Sequence, residues 1–244
     1  MRFASLGSGS EGNALIVQVA GTVVMMDCGF GLAATEHKLA RAGIAPQDLD
    51  AVLVTHEHAD HIHGIDDLRA FSLRSGQRMP MYGDQQTLAV LRERFPYIVE
   101  EHLKPVAGTS RPEGQMIPVT SGVAFRIGDT DVLPFTVPHG RTSVLAYRFG
   151  DIGYVTDAKT IPESARLALA GVRVLVLNAL LRDAHPTHLS IAEAISAARE
   201  IGAERTFLTH LTHHTSHAEL AAELPSGISP AYDGLIVTVD PSSW

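Results

Sequence analysis

The chain has 244 residues, 45% hydrophobic and 19% charged, and its 19 Lys and Arg against 27 Asp and Glu leave a formal charge of −8. This is the composition of a globular chain with apolar material for one sizeable core, and its acidic balance argues against non-specific binding to nucleic acid or an anionic membrane, both of which need basic patches. A single cysteine, Cys28, excludes an intramolecular disulfide and any multi-cysteine zinc or iron–sulfur site, and suits a reducing compartment.

Layered α/β folds of roughly 250 residues often form one unit, so residues 1–244 read as one domain. The opening Met1 to Glu11 breaks into Gly, Ser and an acid before an apolar leader develops. No later apolar run approaches membrane-spanning length, and the expected location is the cytoplasm.

In chain order, Ala14 to Val19 and Thr22 to Met26 read as strands around the Ala20-Gly21 turn, followed by a helix from Glu36 to Ala42 that stops at Gly43. Ala51 to Thr55 has the compact apolar character of a strand buried on both faces. Helical spacing follows from Ile62 to Leu73, then a strand from Met79 to Tyr82 and a helix from Thr87 to Phe95. Residues 104 to 115, rich in Gly, Pro and Ser, read as an exposed connection. Strands are expected at Val123 to Ile127, Val132 to Val137, Val144 to Phe149, Gly153 to Thr156 and Val172 to Leu177. Ser190-Ile191-Ala192-Glu193 is a capping box opening a helix that ends at Gly202. A strand at Thr206 to Thr209, a helix at Ala218 to Leu224 and a strand at Leu235 to Val239 complete the chain. Two successive sets of strands, each with helices, imply packed sheets with helices outside.

Thirteen histidines stand out, and their placement matters more than their number. Thr55-His56-Glu57-His58-Ala59-Asp60-His61 puts four N/O metal ligands between a buried strand and a helix. His56 and His58 point to the same side of an extended segment, whereas Asp60 and His61 fall where the chain turns, so the spacing suits two adjacent ions. The position four after His56 is Asp60, so this is not the His-Glu-x-x-His pair of helical zinc proteases.

The motif resembles the His-x-His-x-Asp-His signature of the metallo-β-lactamase superfamily. That resemblance extends over nearly the whole chain and implies an α/β fold, the four-layer αββα sandwich. His139, Asp157 and His210, each following an apolar run, match the later ligands in order. By resemblance, His56, His58 and His139 hold one divalent ion, Asp60, His61 and His210 hold a second, and Asp157 bridges them and is counted as catalytic. Asp27 matches an early aspartate that hydrogen-bonds the metal loop, and Asp233 resembles a residue supporting a ligand histidine. The complete N/O set suits Zn2+ or Mn2+, with Fe also compatible.

The segment Asn178 to Ser190, with Thr209-His210-Leu211-Thr212-His213 and Ala231 to Leu235, resembles the cyclic-phosphate phosphodiesterase branch of that superfamily, typified by the phosphoribosyl 1,2-cyclic phosphate phosphodiesterase of phosphonate degradation. His188 matches its phosphate-contacting histidine. That enzyme has an N-terminal cysteine-bound zinc segment, whereas here the chain runs directly into Leu6 to Asn13, as in bacterial single-domain homologues. The implied activity is hydrolysis of a small cyclic or nucleotide-like phosphodiester through a metal-bridging hydroxide. His188 would contact the phosphate or protonate the leaving alkoxide, and His213, Arg141, Lys159 and Ser8 are candidate substrate contacts. Two ions make the site locally positive in an acidic chain, which favours a small anionic ester over long nucleic acid. The alternatives are a DNA or RNA nuclease of the same fold and a thioester or lactone hydrolase.

Overall fold

The computed structural model describes residues 1–100, 102, 103 and 114–240. Its first half runs β1 (Arg2–Gly7), β2 (Ala14–Val19), β3 (Thr22–Met26), α1 (Leu32–Arg41), β4 (Ala51–Leu53), α2 (Ala59–Ile62), α3 (Arg69–Ser75), β5 (Met79–Gly83), α4 (Gln85–Arg94), α5 (Pro96–Val99) and β6 (Gly114–Pro118). The second half runs β7 (Phe125–Ile127), β8 (Thr130–His139), β9 (Thr142–Phe149), β10 (Ile152–Val155), α6 (Glu163–Ala168), β11 (Val174–Asn178), α7 (Ile191–Ile201), β12 (Arg205–Thr209), α8 (His217–Glu223), β13 (Ile228–Pro230) and β14 (Ile236–Thr238).

Among the described residues these strands form two sheets, ordered β14-β1-β2-β3-β4-β5-β6 and β13-β12-β11-β10-β9-β8-β7. In the first, β1 to β3 pair antiparallel and β3 to β6 parallel. In the second, β7 to β10 pair antiparallel and β10 to β13 parallel. β14 returns to the first sheet beside β1, so the chain's last strand ties the halves together.

Strand alternation builds the layers. In β3, Val23 and Met25 face the helices, while Val24 and Met26 face the other sheet. One apolar cluster lies between the first sheet and its helices, a second between the sheets around Phe3, Tyr147 and Phe149, and a third between the second sheet and α6, α7 and α8. Three cores between four layers is the αββα sandwich, and strands buried on both faces explain the continuous apolar runs.

Several elements depart from expectation for identifiable reasons. The helical stretch after His61 is broken, because Gly64 sits against Phe30, whose carbonyl oxygen would lie 1.9 Å from an added Cβ. The chain there divides into α2, a 3₁₀ turn and α3. Residues 104–113 of the expected exposed connection lie outside the described residues, and Gly114 opens β6 as a buried position. No described helix is long and apolar enough to cross a membrane.

Cys28 is 2% exposed within the first core. Burial, then the nearby Asp67 and Asp27 charges, push its thiol up to about 12. A thiol reagent at about pH 8 is therefore expected to leave the native protein unmodified and to label one equivalent in denaturant; rapid native labelling contradicts this placement.

Candidate metal centre

The ends of β3, β4, β8, β10 and β12 meet at one edge of the sandwich, the carboxyl edge where layered α/β folds place ligands. Three strands end in a left-handed residue: Asp27 at φ 57°, Asp157 at φ 57° and His210 at φ 60°. These are costly conformations for residues with a side chain, and each turns the chain abruptly so that the side chain faces across the edge.

Asp157 lies at the centre, 2% exposed. Its Oδ2 is 3.5 Å from His56 Nε2 and 3.9 Å from His139 Nε2. Its Oδ1 is 3.3 Å from both His61 Nε2 and His210 Nε2. Asp60 Oδ2 completes the second side, 3.2 Å from His61 Nε2 and 3.4 Å from His210 Nε2. Donor atoms of His56, His58, His139 and Asp157 fall within 4.8 Å of one another, as do those of Asp60, His61 and His210. The two carboxylate oxygens of Asp157 thus face two different donor groups.

Surrounding hydrogen bonds set the histidine tautomers. His61 Nδ1 donates to Asp27 Oδ2 at 2.8 Å, and His139 Nδ1 donates to the Thr187 carbonyl at 3.1 Å. Thr55 Oγ1 lies 3.0 Å from Asp27 and 3.0 Å from His56 Nδ1. Since the Asp27 carboxylate only accepts, the Thr55 hydroxyl donates to it and receives the His56 proton. In His56 and His139 the proton is on Nδ1, which leaves the Nε2 lone pair facing Asp157, and in His61 the Asp27 carboxylate fixes a proton on Nδ1 so that Nε2 is the nitrogen turned to Asp157. Asp27 therefore orients the loop from outside the cluster, with Thr55 N–H donating to its Oδ1 at 2.8 Å.

Backbone contacts lock this loop in place. Asn13 N donates to Asp60 O at 2.8 Å, Gly29 N to Asn13 O at 3.0 Å and Cys28 N to His61 O at 2.7 Å. A Cβ on Gly29 would lie 1.9 Å from the Asp60 carbonyl oxygen, so only glycine permits this approach. The Asn13 amide also donates to Asp60 Oδ2 at 3.0 Å and approaches His61 Nε2 at 3.2 Å.

The electrostatics fit a cation. Burial works against its ionisation, yet the His61 and His210 charges and the His188 bond hold the Asp157 carboxyl well below the usual range. Asp60 is likewise held low against burial by bonds to His210 and His61. Burial, then neighbouring imidazoles, push His56 well down, and burial lowers His139, so both are neutral donors near pH 7. Burial opposes a proton on His61, but Asp27 and Asp157 raise its proton affinity well above the ordinary value. Nε2 of His56 and of His210 are buried without a hydrogen-bond partner. Buried lone pairs converging on ionised carboxylates are what bound cations satisfy, and the cluster can bind metal ions.

The other expected residues divide. His188 joins the cluster, its Nε2 3.1 Å from Asp157 Oδ2 and its side chain 12% exposed. Arg141 is exposed in the turn after His139. Lys159 is engaged elsewhere, 2.8 Å from Glu193 Oε1 at the start of α7. His213 is exposed and packs on His214, with ring centroids 4.0 Å apart. Ser8 turns to Asp233, its N–H and hydroxyl 3.1 and 3.2 Å from Oδ1. Among the described residues Asp233 supports no ligand histidine; it holds Ser8 and pairs with Lys38 at 2.6 Å. Thr55, Thr187, His185 and Asn178 escaped the sequence reading. Asn178 clamps the Asp157 loop, accepting from Ala158 N at 2.8 Å and donating to Ala158 O at 3.0 Å. Polar residues at or beside strand ends were the available signal for Thr55 and Asn178.

Residues 22–211 match the model of the beta-lactamase superfamily domain. A Porphyromonas gingivalis protein named octanoyltransferase is 35% identical over 228 residues, 93% of this chain and 44% of that protein. The exodeoxyribonuclease WalJ of Streptococcus pneumoniae is 29% identical over 166 residues, 64% of this chain and 56% of that one. The chain thus spans about half the length of these curated relatives. A crystal structure described as a new diphosphatase from the PhnP family superposes with a TM-score of 0.83 at 32% identity, covering 97% of both chains. The chain belongs to the β-lactamase superfamily and has its metallo-hydrolase fold.

Proposed function

We propose that the chain is a dinuclear metal-dependent phosphodiesterase acting on a small cyclic or nucleotide-like phosphodiester. The observation that carries this reading is His188. Seven other side chains make up two donor groups that account for both ions, and this imidazole, grouped with Asp157 and His210 and 3.1 Å from the shared carboxylate oxygen, is left over to serve as a proton donor beside them. A PhnP-family diphosphatase among the similar structures supports phosphate chemistry.

His56, His58 and His139 would hold one ion, Asp60, His61 and His210 the other, and Asp157 both. Zinc, manganese or iron suits this N/O set. Two such ions, when bound, supply a water of lowered pKa and positive charge for the phosphoryl oxygens. His188 presents its Nε2 to the leaving oxygen. Arg141, exposed in the turn after His139, steers the anionic ester, with exposed His213 a further candidate contact and buried Ser8 held by Asp233. Residues 1–244 act as one unit, and the lone buried Cys28 suits a reducing cytoplasm.

A nuclease is the second reading, favoured by the similarity to an exodeoxyribonuclease and opposed by the formal charge of −8. The deciding experiment is a substrate panel on metal-loaded protein: an activated phosphodiester, a 2′,3′-cyclic nucleotide, single-stranded DNA, a thioester and a β-lactam. Turnover of the small phosphodiesters is expected; turnover of the thioester alone overturns the reading, and processive DNA degradation favours the nuclease. His188→Ala is expected to lower kcat on an alkoxide-releasing ester by about 10²–10⁴-fold with metal content retained. Loss of metal in that variant contradicts its assigned role.

A further inference from the structure

The loop before α7 brings a second, unassigned histidine against His188. His188 Nδ1 lies 2.7 Å from Thr187 Oγ1 and 3.1 Å from His185 Nδ1. The same His185 nitrogen is approached by the Thr187 backbone N–H at 3.4 Å and by Thr187 Oγ1 at 3.1 Å. A ring nitrogen receiving a backbone N–H carries a lone pair, so His185 is protonated on Nε2 and accepts at Nδ1. Burial, followed by the charges of His188 and Lys159, lowers its proton affinity, which agrees with a neutral ring.

His188 Nδ1 faces that lone pair and must be the donor. Its proton is shared between His185 Nδ1 and Thr187 Oγ1, and the opposite nitrogen, Nε2, is left at Asp157. The ring has little room to swing, because it stands edge-on to His139, with centroids 4.8 Å apart, and nearly parallel to His210 at 5.0 Å. Lys159 offers no competing contact to His188, since its ammonium binds both carboxylate oxygens of Glu193.

We propose that His185 is the positioning residue for His188, accepting its Nδ1 proton so that a second proton, on Nε2, is the one delivered to the leaving oxygen. This rests on the reading of His188 as the acid. In the step, a water oxygen bonds to phosphorus and releases a proton to solvent, while the bond from phosphorus to the leaving oxygen breaks and its electron pair stays on that oxygen. The oxygen takes the Nε2 proton, and His188 ends neutral with its Nδ1 proton still bonded to His185. His185 touches no substrate; it fixes the tautomer and the aim of the ring that does.

The test compares His185→Ala, His185→Asn, His188→Ala and the double alanine variant on two esters. One is bis(p-nitrophenyl) phosphate, whose phenolate departs with little help from an acid; the other is a 2′,3′-cyclic nucleotide, whose alkoxide needs a proton. His185→Ala is expected to lower kcat on the cyclic nucleotide about 10–100-fold with little change in KM, and to change the nitrophenyl ester far less. His185→Asn, which places an oxygen acceptor near the position of Nδ1, should restore most of the loss. In the His188→Ala background, removing His185 should cost no more than about twofold further. Nitrogen-15 NMR of the zinc-loaded protein should show His185 protonated on Nε2 and His188 protonated on Nδ1. Equal losses on both esters, additive losses, or a proton on His185 Nδ1 overturn the proposal. A His188→Ala variant with unchanged cyclic-nucleotide turnover overturns the reading of His188 itself, whereas a His188→Ala defect that His185→Ala fails to reproduce overturns only the part given to His185.

Discussion

On the proposed two-ion phosphodiesterase reading, replacing Asp157 with alanine is expected to lower phosphodiester turnover by about 10³-fold or more, because several kcal/mol of metal-derived stabilisation would depend on both ions being held, and each 1.36 kcal/mol is tenfold in rate. The expectation follows from the division of its oxygens. Oδ2 serves the side of His56 and His139, Oδ1 the side of His61 and His210, and Thr156 Oγ1 fixes the carboxylate from behind, 2.7 Å from Oδ1. Among the described residues no other carboxylate reaches both groups, and of the histidines Asp60 lies against His61 and His210. Alanine therefore removes one ligand from each group at once, and ion content per chain should fall together with activity. Asp157→Asn should fall in the same direction, because an amide keeps the shape but loses the charge. Circular dichroism separates this effect from unfolding, and a folded alanine variant with full ion content and turnover contradicts the bridging role.

Replacing Asp27 should act on stability first. Its carboxylate accepts from His61 Nδ1, Thr55 N and Thr55 Oγ1, and both Asp27 and His61 are 0% exposed. Asp27→Ala leaves a buried imidazole and a backbone N–H without their acceptor and places alanine at φ 57°. The expected cost is about 3–5 kcal/mol, the range for breaking a buried pair from one side. In a protein of this size that corresponds to a fall in Tm of roughly 6–20 °C. Asp27→Asn should separate fold from function. Asparagine tolerates the left-handed conformation, and its oxygen can still accept from Thr55. Its amide N–H, however, would face His61 Nδ1, driving that proton to Nε2 and blocking the lone pair that faces Asp157. Near-native Tm with about 10–100-fold weaker metal binding is the expected result. Equal metal affinity in Asp27→Asn and the wild type contradicts the tautomer assignment.

The donor cluster and the residues that orient it were legible in the sequence to very different degrees. His56 to His61 is a contiguous run whose spacing already separates two directions, and His139, Asp157 and His210 each follow an apolar strand. Local order therefore suffices to bring them forward. The residues that orient them are ordinary in type and distant in sequence. Asn13 reaches Asp60 across 47 positions and Asn178 reaches Ala158 across 20, and nothing in the neighbourhood of either announces its partner. The same limit hid β6 and β13, short strands whose sides are set by pairing with β5 and β12 rather than by their own patterns. Lys159 shows the opposite failure. Its position two residues after Asp157 suggested a phosphate contact, but the capping residue Glu193, 34 positions away, holds it.

The part proposed for His185 is not readable from its own neighbourhood, because it acts through His188, three residues on. Local sequence gives the spacing, and only the loop geometry brings the two Nδ1 atoms to 3.1 Å with the rings tilted by 53°.

The most direct test of a two-ion site is a metal titration of chelated protein, with phosphodiester hydrolysis as the readout. If Asp157 joins two donor groups, activity should rise with added Zn2+ or Mn2+ and level off at two equivalents per chain. Full activity at one equivalent, or turnover that persists after chelation, contradicts the dinuclear reading.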